Sequence, residues 1–339
     1  MTRQLSAIWI GNPFFYPALA DIGWRVHWIN PEIDEVYGWD ALVAKAGFTP
    51  DLVVVADKSL PPFVTGMETF PCLTAFYAVD SHIHSWFPLY AQGFDLCLVS
   101  LRDHIPSFWG RRLKKETVIW SPPYAYPGDA PAEPDPAKPV WDVLFVGTVS
   151  PDVNPDRCAF LDAVAQRVPG LHVQSGAYRD LFHQAKIVLN HTAAGDLNFR
   201  VFEALGCGAC LVTPQVRHGL EDLFENGVDL FTFDQNDIDG LAKLLHVLLS
   251  APSRRRKAAE HGHQTVLAGH YMRHRAEALA GKVEDLIRSG SAGEMIKDRL
   301  QDAKKTHAAC LKLIYLHHAE TASSPSQAAA YLKAAKFQA

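Results

Sequence analysis

Asn198, Arg200 and Glu203 fall within one short stretch, LNFRVFEALG, whose residue types suit a phosphorylated ligand. Arg200 and Glu203 are three residues apart, which puts them on roughly the same face if the stretch is helical. Free N–H groups and the dipole at a helix start attract anions, so a diphosphate would rest there with Arg200 neutralising one oxygen. A carboxylate at Glu203 would accept hydrogen bonds from the two hydroxyls of a ribose. The same spacing also describes an Arg–Glu pair on a solvated helix whose Phe199, Phe202 and Leu205 pack inward, and the pattern alone leaves both readings open.

The flanking sequence shows what would position these side chains. Lys186 to Leu189 reads as a short apolar strand, and Asn190 to Leu197 supplies turn and capping residues, so a helix is expected from near Asp196 or Asn198. Gly206 and Gly208 end it before a second apolar strand, Ala209 to Thr213. Upstream lie an expected strand at Val143 to Gly147, a helix at Pro155 to Arg167, a strand at Leu171 to Gln174 and a helix at Tyr178 to Gln184. Downstream follow a short helix at Gly219 to Phe224, a strand at Asp229 to Phe233 and an amphipathic helix at Asp237 to Leu249. This alternation predicts an α/β, doubly wound parallel domain, whose ligands bind beyond the carboxyl ends of the strands. Gly147 and Thr148 follow one strand and Asn190 another, and Gly147 would let the backbone approach a phosphate closely. With Asn198, Phe199, Arg200 and Glu203 they make up the expected substrate-binding set.

The first half alternates in the same way, with apolar runs at Ala7 to Gly11, Arg25 to Asn30, Leu52 to Ala56, Leu73 to Val79, Leu96 to Ser100 and Thr117 to Trp120. The run Ser121 to Pro139 carries too many prolines for a helix or a central strand. The expected organisation is therefore a Rossmann-like domain at 1–120, a linker at 121–140, a second Rossmann-like domain at 141–269, a helix at 270–290 and an alanine-rich helical tail at 291–339. The tail would dock on the core or pair with another copy of the chain.

Asp80, His82 and His84 come directly after an apolar run. His82 oriented by Asp80 suits a general base that takes a proton from a hydroxyl in an inverting group transfer. The plainer alternative has Asp80 capping the next helix and the histidines bonding backbone or facing solvent. A metal site there lacks a distant ligand pair, so none is expected, and no cofactor is expected beyond a co-substrate. Asn12 with Phe14, Phe15 and Tyr16 could stack on a sugar or pack as core.

A net charge of −5 gives no electrostatic reason for nucleic-acid binding, and the basic run Arg254 to Lys257 is expected on a solvated helix face. No apolar run reaches membrane-spanning length, and LSAIWIGNPFFYP is broken by Gly11, Asn12 and Pro13, unlike a signal-peptide core, so a cytoplasmic location is expected. Six cysteines in 339 residues form no dense disulfide framework, and the Cys207–Cys210 pair straddles a helix-to-strand turn, which suits small buried thiols.

The blocks LNFRVFEALGCGACLVTP, GLEDLFENGVDLFTFDQNDIDGLAKLLHVLL and HYMRHRAEAL, in this order and spacing, resemble the C-terminal half of the CgeB-like glycosyltransferases of the GT-B superfamily. The resemblance covers about Trp141 to Ile287. It implies two facing Rossmann-like domains, the C-terminal one holding a nucleotide-sugar donor and the N-terminal one an acceptor glycan, protein or small molecule. It further implies that Glu203 contacts the ribose and Arg200 the diphosphate, that no metal is needed, and that the helix at 270–290 returns to the N-terminal domain. Here the sequence departs from many retaining relatives, which place a basic residue after the glycine and a lysine after a following strand. This chain has Thr148, Val149 and Ser150, then Gly176 and Ala177, with Arg157, Arg179 or Arg217 as possible substitutes. The acidic partner of other retaining relatives is also missing, since Gly195 occupies its position and Asp196 is one residue off. Two other functions share this fold: a scaffold that binds a nucleotide or partner without transfer, and a sugar-nucleotide epimerase.

Overall fold

Leu52–Ala56 and Leu73–Ala78 are apolar almost throughout and buried along their whole length, the pattern of central strands covered on both faces. In the computed structural model, which describes residues 3–131, 139–192 and 194–337, they lie in the first of two compact units. That unit comprises residues up to Pro122 and from Arg275 onward. Its strands are β1 (Ser6–Gly11), β2 (Arg25–Ile29), β3 (Leu52–Ala56), β4 (Leu73–Ala78), β5 (Leu96–Val99) and β6 (Val118–Trp120), in the order β2-β1-β3-β4-β5-β6, all parallel. The direction of winding reverses between β1 and β3. Gly11 closes β1 at φ +114°, and a Cβ there would stand 1.9 Å from the Ala56 carbonyl oxygen, so the two strand ends meet only because residue 11 lacks a side chain.

The second unit, Pro123–His274, carries β7 (Trp141–Val146), β8 (Leu171–Gln174), β9 (Ala185–Leu189), β10 (Leu211–Pro214) and β11 (Phe231–Phe233) in the parallel order β11-β10-β9-β7-β8. Helices Pro155–Arg167 and Ile238–Ser250 pack Phe160, Leu161, Val164, Leu241 and Leu245 onto Val143, Phe145, Ile187 and Val212. Here the winding reverses between β7 and β9, the kind of position where doubly wound sheets bind ligands. Both units are thus the expected doubly wound parallel sheets, and the strands lie within two residues of their expected bounds. The helix expected at Tyr178 to Gln184 divides into Tyr178–Leu181 and a 3-10 turn, Phe182–Gln184.

Part of the proline-rich run is built into the second unit. Ala125 pairs with both sides of Tyr271, its N–H donating to His270 and its carbonyl accepting from Met272, each at 2.8 Å, and Asp129 is fully buried. Residues 132–138 of the expected linker lie outside the described residues, as do 338 and 339 of the expected tail.

The basic run does not face solvent throughout. Arg254, Arg256 and Lys257 are exposed, but Arg255 donates to the Leu248 and Leu249 carbonyls at the end of helix Ile238–Ser250, where unpaired carbonyls attract a cation. Cys207 and Cys210 are free and buried, and burial pushes both thiols up to about 12, so they are inert at neutral pH.

Helix Met272–Arg288 enters the first unit at Arg275, and its Glu284 accepts from the Trp24 indole at 3.3 Å. The tail forms helices Ser291–Thr306, Lys312–Glu320 and Pro325–Ala334, with a π-turn at His307–Leu311. It docks on the first unit's own core, where Leu311, Tyr315 and Tyr331 join Val53, Phe76 and Phe94. Arg299, wholly buried, pairs with Asp95 and also donates to Thr74 Oγ1 (2.7 Å) and to the carbonyls of Phe70 and Cys72 (2.8 Å for the latter). Among the described residues no helix is long and apolar enough to cross a membrane.

Candidate functional site

The second unit gathers its expected site residues at the carboxyl rim of β7, β9 and β10. Asn190, directly after β9, is fully buried, and its amide donates to Asn198 Oδ1 (3.1 Å) and to Thr213 Oγ1 of β10 (3.0 Å). Asn198 takes the N-cap position of helix Phe199–Gly206 with extended backbone (φ −91°, ψ 166°). Its side chain makes no capping bond and instead meets Asn190. Gly147 follows β7, its N–H bonded to the Gln174 carbonyl at 3.0 Å, and an added Cβ would stand 3.6 Å from Arg200 Nη1. Thr148 is exposed, and its carbonyl accepts from Asn154 (3.1 Å) and Arg157 (3.0 Å).

Arg200 and Glu203 do not lie on a solvated face. Their side chains are 22% and 14% exposed, with Arg200 Nε 3.6 Å from Glu203 Oε2, and Arg200 Nη1 donates to the Val146 carbonyl at the end of β7. Burial lowers the pKa of Arg200 against the opposing pull of Glu203. Burial likewise raises the Glu203 carboxyl, with Arg200 opposing and Asp129 adding repulsion. Phe199 packs edge-on against Tyr124 (5.2 Å between ring centroids) and stacks with Tyr126 at 6.2 Å.

Beside this pair lies a group that motif spacing did not assign. Asp129 accepts from Tyr178 Oη (2.8 Å), Arg179 Nε (2.6 Å) and the Tyr126 N–H (2.7 Å). The Arg179 guanidinium covers the ring of Tyr178 at 4.9 Å. Asp129 and Arg179 are 50 residues apart, and no local pattern links them. Arg157, on helix Pro155–Arg167, was named from sequence only as a possible substitute cation; its guanidinium carbon lies 5.7 Å from the Phe145 ring centroid. Arg217, the third such candidate, is exposed.

The expected base lies in the first unit. Asp80 follows β4 in a bend, its N–H donating to the buried Asp57 carboxylate at 2.8 Å. His82 is exposed, whereas His84 is half-buried against Trp86 and Phe87, so the two histidines do not share an environment. Ser81 Oγ lies 2.9 Å from His104 Nδ1, a neighbour that sequence did not single out. Phe15 is core, wedged between Trp9 and Tyr77, while Phe14 and Tyr16 are half-buried against Tyr77 and Trp28. Among the described residues no group of three or more His, Cys, Asp or Glu side chains is placed to hold a metal ion.

Two tandem parallel-sheet units with a helical C-terminal region define the GT-B class of fold. Residues 140–281 match the family described as glycosyl transferase-like, a span that holds Gly147, Arg157, Asn190, Asn198, Arg200 and Glu203 but not Tyr124, Tyr126 or Asp129. The fold is similar to that of Anabaena Alr3699/HepE, solved in complex with UDP and glucose (TM-score 0.60, 14% identity, 84% of this chain and 100% of that one). It is also similar to sucrose-phosphate synthase from Thermosynechococcus elongatus (TM-score 0.60, 11% identity, 85% and 100%) and to a glycosyltransferase from Rickettsia africae (TM-score 0.60, 9% identity, 84% and 99%). No curated protein matches the sequence.

Proposed function

We propose that the chain is a glycosyltransferase of the CgeB-like branch that moves a sugar from a nucleoside-diphosphate donor to an acceptor hydroxyl. The observation that carries this reading is the buried Arg200–Glu203 pair on a helix whose start is tied to the ends of β7 and β9. A guanidinium and a carboxylate fixed one helical turn apart match the two ends of a ribose–diphosphate, the first on a phosphate oxygen and the second on the ribose hydroxyls. Breaking the sugar–phosphate bond leaves negative charge on the departing diphosphate. Arg200 and the positive end of the helix dipole at Asn198 would stabilise that charge, with glycine at 147 letting the diphosphate approach closely. Asn190 and Asn198, bonded to each other, hold the helix start in register with β9.

On the acceptor side, His82 would take the hydroxyl proton with Asp80 beside it, and no metal ion would be required. The second carboxylate cluster, around Asp129, braces Tyr178 and Arg179 near Glu203 rather than taking part in bond breaking. A cytoplasmic enzyme using a soluble nucleotide sugar accords with six free cysteines.

The test follows nucleoside-diphosphate release from a panel of nucleotide sugars, with candidate acceptors, for the wild type and for His82→Ala and Glu203→Ala. Turnover that falls in both variants, through kcat for His82→Ala and mainly through KM for Glu203→Ala, is expected. Unchanged turnover in His82→Ala would remove the base assignment, and unchanged KM in Glu203→Ala the donor assignment.

A further inference from the structure

Arg200 has a companion cation on a different element. The guanidinium carbons of Arg157 and Arg200 lie 5.7 and 5.9 Å from the centroid of the same Phe145 ring, near the end of β7. Each guanidinium is tethered by one Nη1–H to a carbonyl flanking Gly147, Arg200 to Val146 and Arg157 to Thr148. Each also keeps a buried Nε that makes no hydrogen bond. Glu203 offsets Arg200 at 3.6 Å, whereas no ion pair engages Arg157 among the described residues. Arg157 is thus a partly covered guanidinium with no carboxylate paired to it, an arrangement that costs free energy unless an anion completes it. Two further orphaned polar atoms, His191 Nδ1 and Thr192 Oγ1, sit in side chains 3% and 1% exposed on the segment directly after β9.

We propose that Arg157 and Arg200 together form a two-guanidinium cradle for a diphosphate group, with Arg157 supplying the second positive charge that residue 148, a threonine, cannot. The inference rests on the donor-site reading and extends it to a residue outside the helix Phe199–Gly206. Two forks anchored on either side of a glycine suit two linked phosphates better than one, because each guanidinium has donors left for its own phosphate. A Cβ at position 147 would stand 3.2 Å from the Phe145 ring and 3.6 Å from Arg200 Nη1, so glycine keeps this rim from being crowded. Arg157 touches the leaving group alone, so its loss weakens binding of diphosphates and leaves the nucleoside contacts in place.

The test is calorimetric titration of the full chain with inorganic pyrophosphate, inorganic phosphate and UDP, GDP, ADP, CDP and TDP. It compares wild type, Arg157→Gln, Arg157→Lys and Arg200→Gln, with thermal melts to confirm folding. Pyrophosphate is expected to bind wild type more tightly than phosphate. Arg157→Gln is expected to lose about tenfold or more in pyrophosphate affinity, with partial recovery in Arg157→Lys. Failure of wild type to bind pyrophosphate, or a folded Arg157→Gln within about twofold of wild type, overturns the cradle. Nucleotide binding that persists without pyrophosphate binding leaves the donor reading standing while the cradle falls. Pyrophosphate binding with no nucleotide bound keeps the cradle and removes the donor reading.

Discussion

Two arginines buried in different units show opposite ways of handling a desolvated charge. Arg299 in the first unit is wholly buried and makes four hydrogen bonds, to Asp95, Thr74, Phe70 and Cys72. Arg200 in the second unit is also largely covered but makes one hydrogen bond, to Val146, and faces Glu203 at 3.6 Å. Arg299 ties a tail helix to the base of a sheet, where a carboxylate, a hydroxyl and two carbonyls engage both of its terminal nitrogens and only Nε stays unbonded. Arg200 stands at the carboxyl rim where the winding of the sheet reverses, with donor capacity unspent. A buried charge that the fold has satisfied serves stability, and one left short at a strand end is available to a ligand.

Substitutions at these sites test that contrast. The largest effect is expected from Arg299→Leu, which takes the nearer cation from buried Asp95 and leaves it Arg112 at 3.6 Å: a loss of about 3–5 kcal/mol in unfolding free energy, read by denaturant titration. A loss under about 1 kcal/mol would show that the tail clamp is dispensable. Arg200→Gln should reverse the pattern, lowering nucleotide affinity about tenfold to a hundredfold while the melting temperature stays close to wild type.

Glu203 sharpens the comparison through pH. Its folded-state pKa is raised by burial, so the neutral form is favoured in the folded chain and stability is lost as pH rises through that value. Glu203→Gln should therefore melt higher than wild type at neutral pH, a gain that fades in acid where the wild-type carboxyl is itself protonated. Nucleotide affinity should move the other way, falling in wild type as pH drops through the raised pKa and staying low and flat in Glu203→Gln. A variant both less stable and unaltered in affinity would mark Glu203 as a structural ion-pair partner.

The smallest effect concerns His307, whose Nδ1 lies 3.0 Å from Glu68 and whose Nε2 lies 3.1 Å from the Ala335 carbonyl. Burial alone would lower its pKa, but the bonds to Glu68 and Ala335 prevail and raise it. The stability this pair confers is complete below the ordinary histidine value and is lost as pH rises through the raised one. Melting curves across neutral pH should slope downward for wild type and flatten for His307→Gln; parallel curves would exclude this pair as the source.

Much of the fold was legible because its signal is local. Apolar runs such as Leu52–Ala56 and breakers such as Gly206 and Gly208 fix strands and helix ends without reference to distant residues. The Arg200–Glu203 spacing was legible for the same reason, although its burial depends on Val146 and Phe145, which sequence spacing does not reach. Asp129 with Tyr178 and Arg179, and Arg299 with Asp95, arise from chain segments 49 to 204 residues apart, so only the folded sheet reveals them. The proline-rich run misled in part because proline count says nothing about the residues between, and Ala125 and Asp129 are the ones that pair.

The central claim is that the rim of the second unit holds a nucleoside diphosphate through Glu203 and its neighbours. The most direct measurement is calorimetric titration of wild type and Glu203→Ala with UDP, GDP, ADP, CDP and TDP and their sugar conjugates. Selective binding of one nucleotide, weakened about tenfold or more by the substitution, is the predicted result. No binding across the panel, or identical binding by both proteins, would contradict it and leave the second unit a transferase-like scaffold.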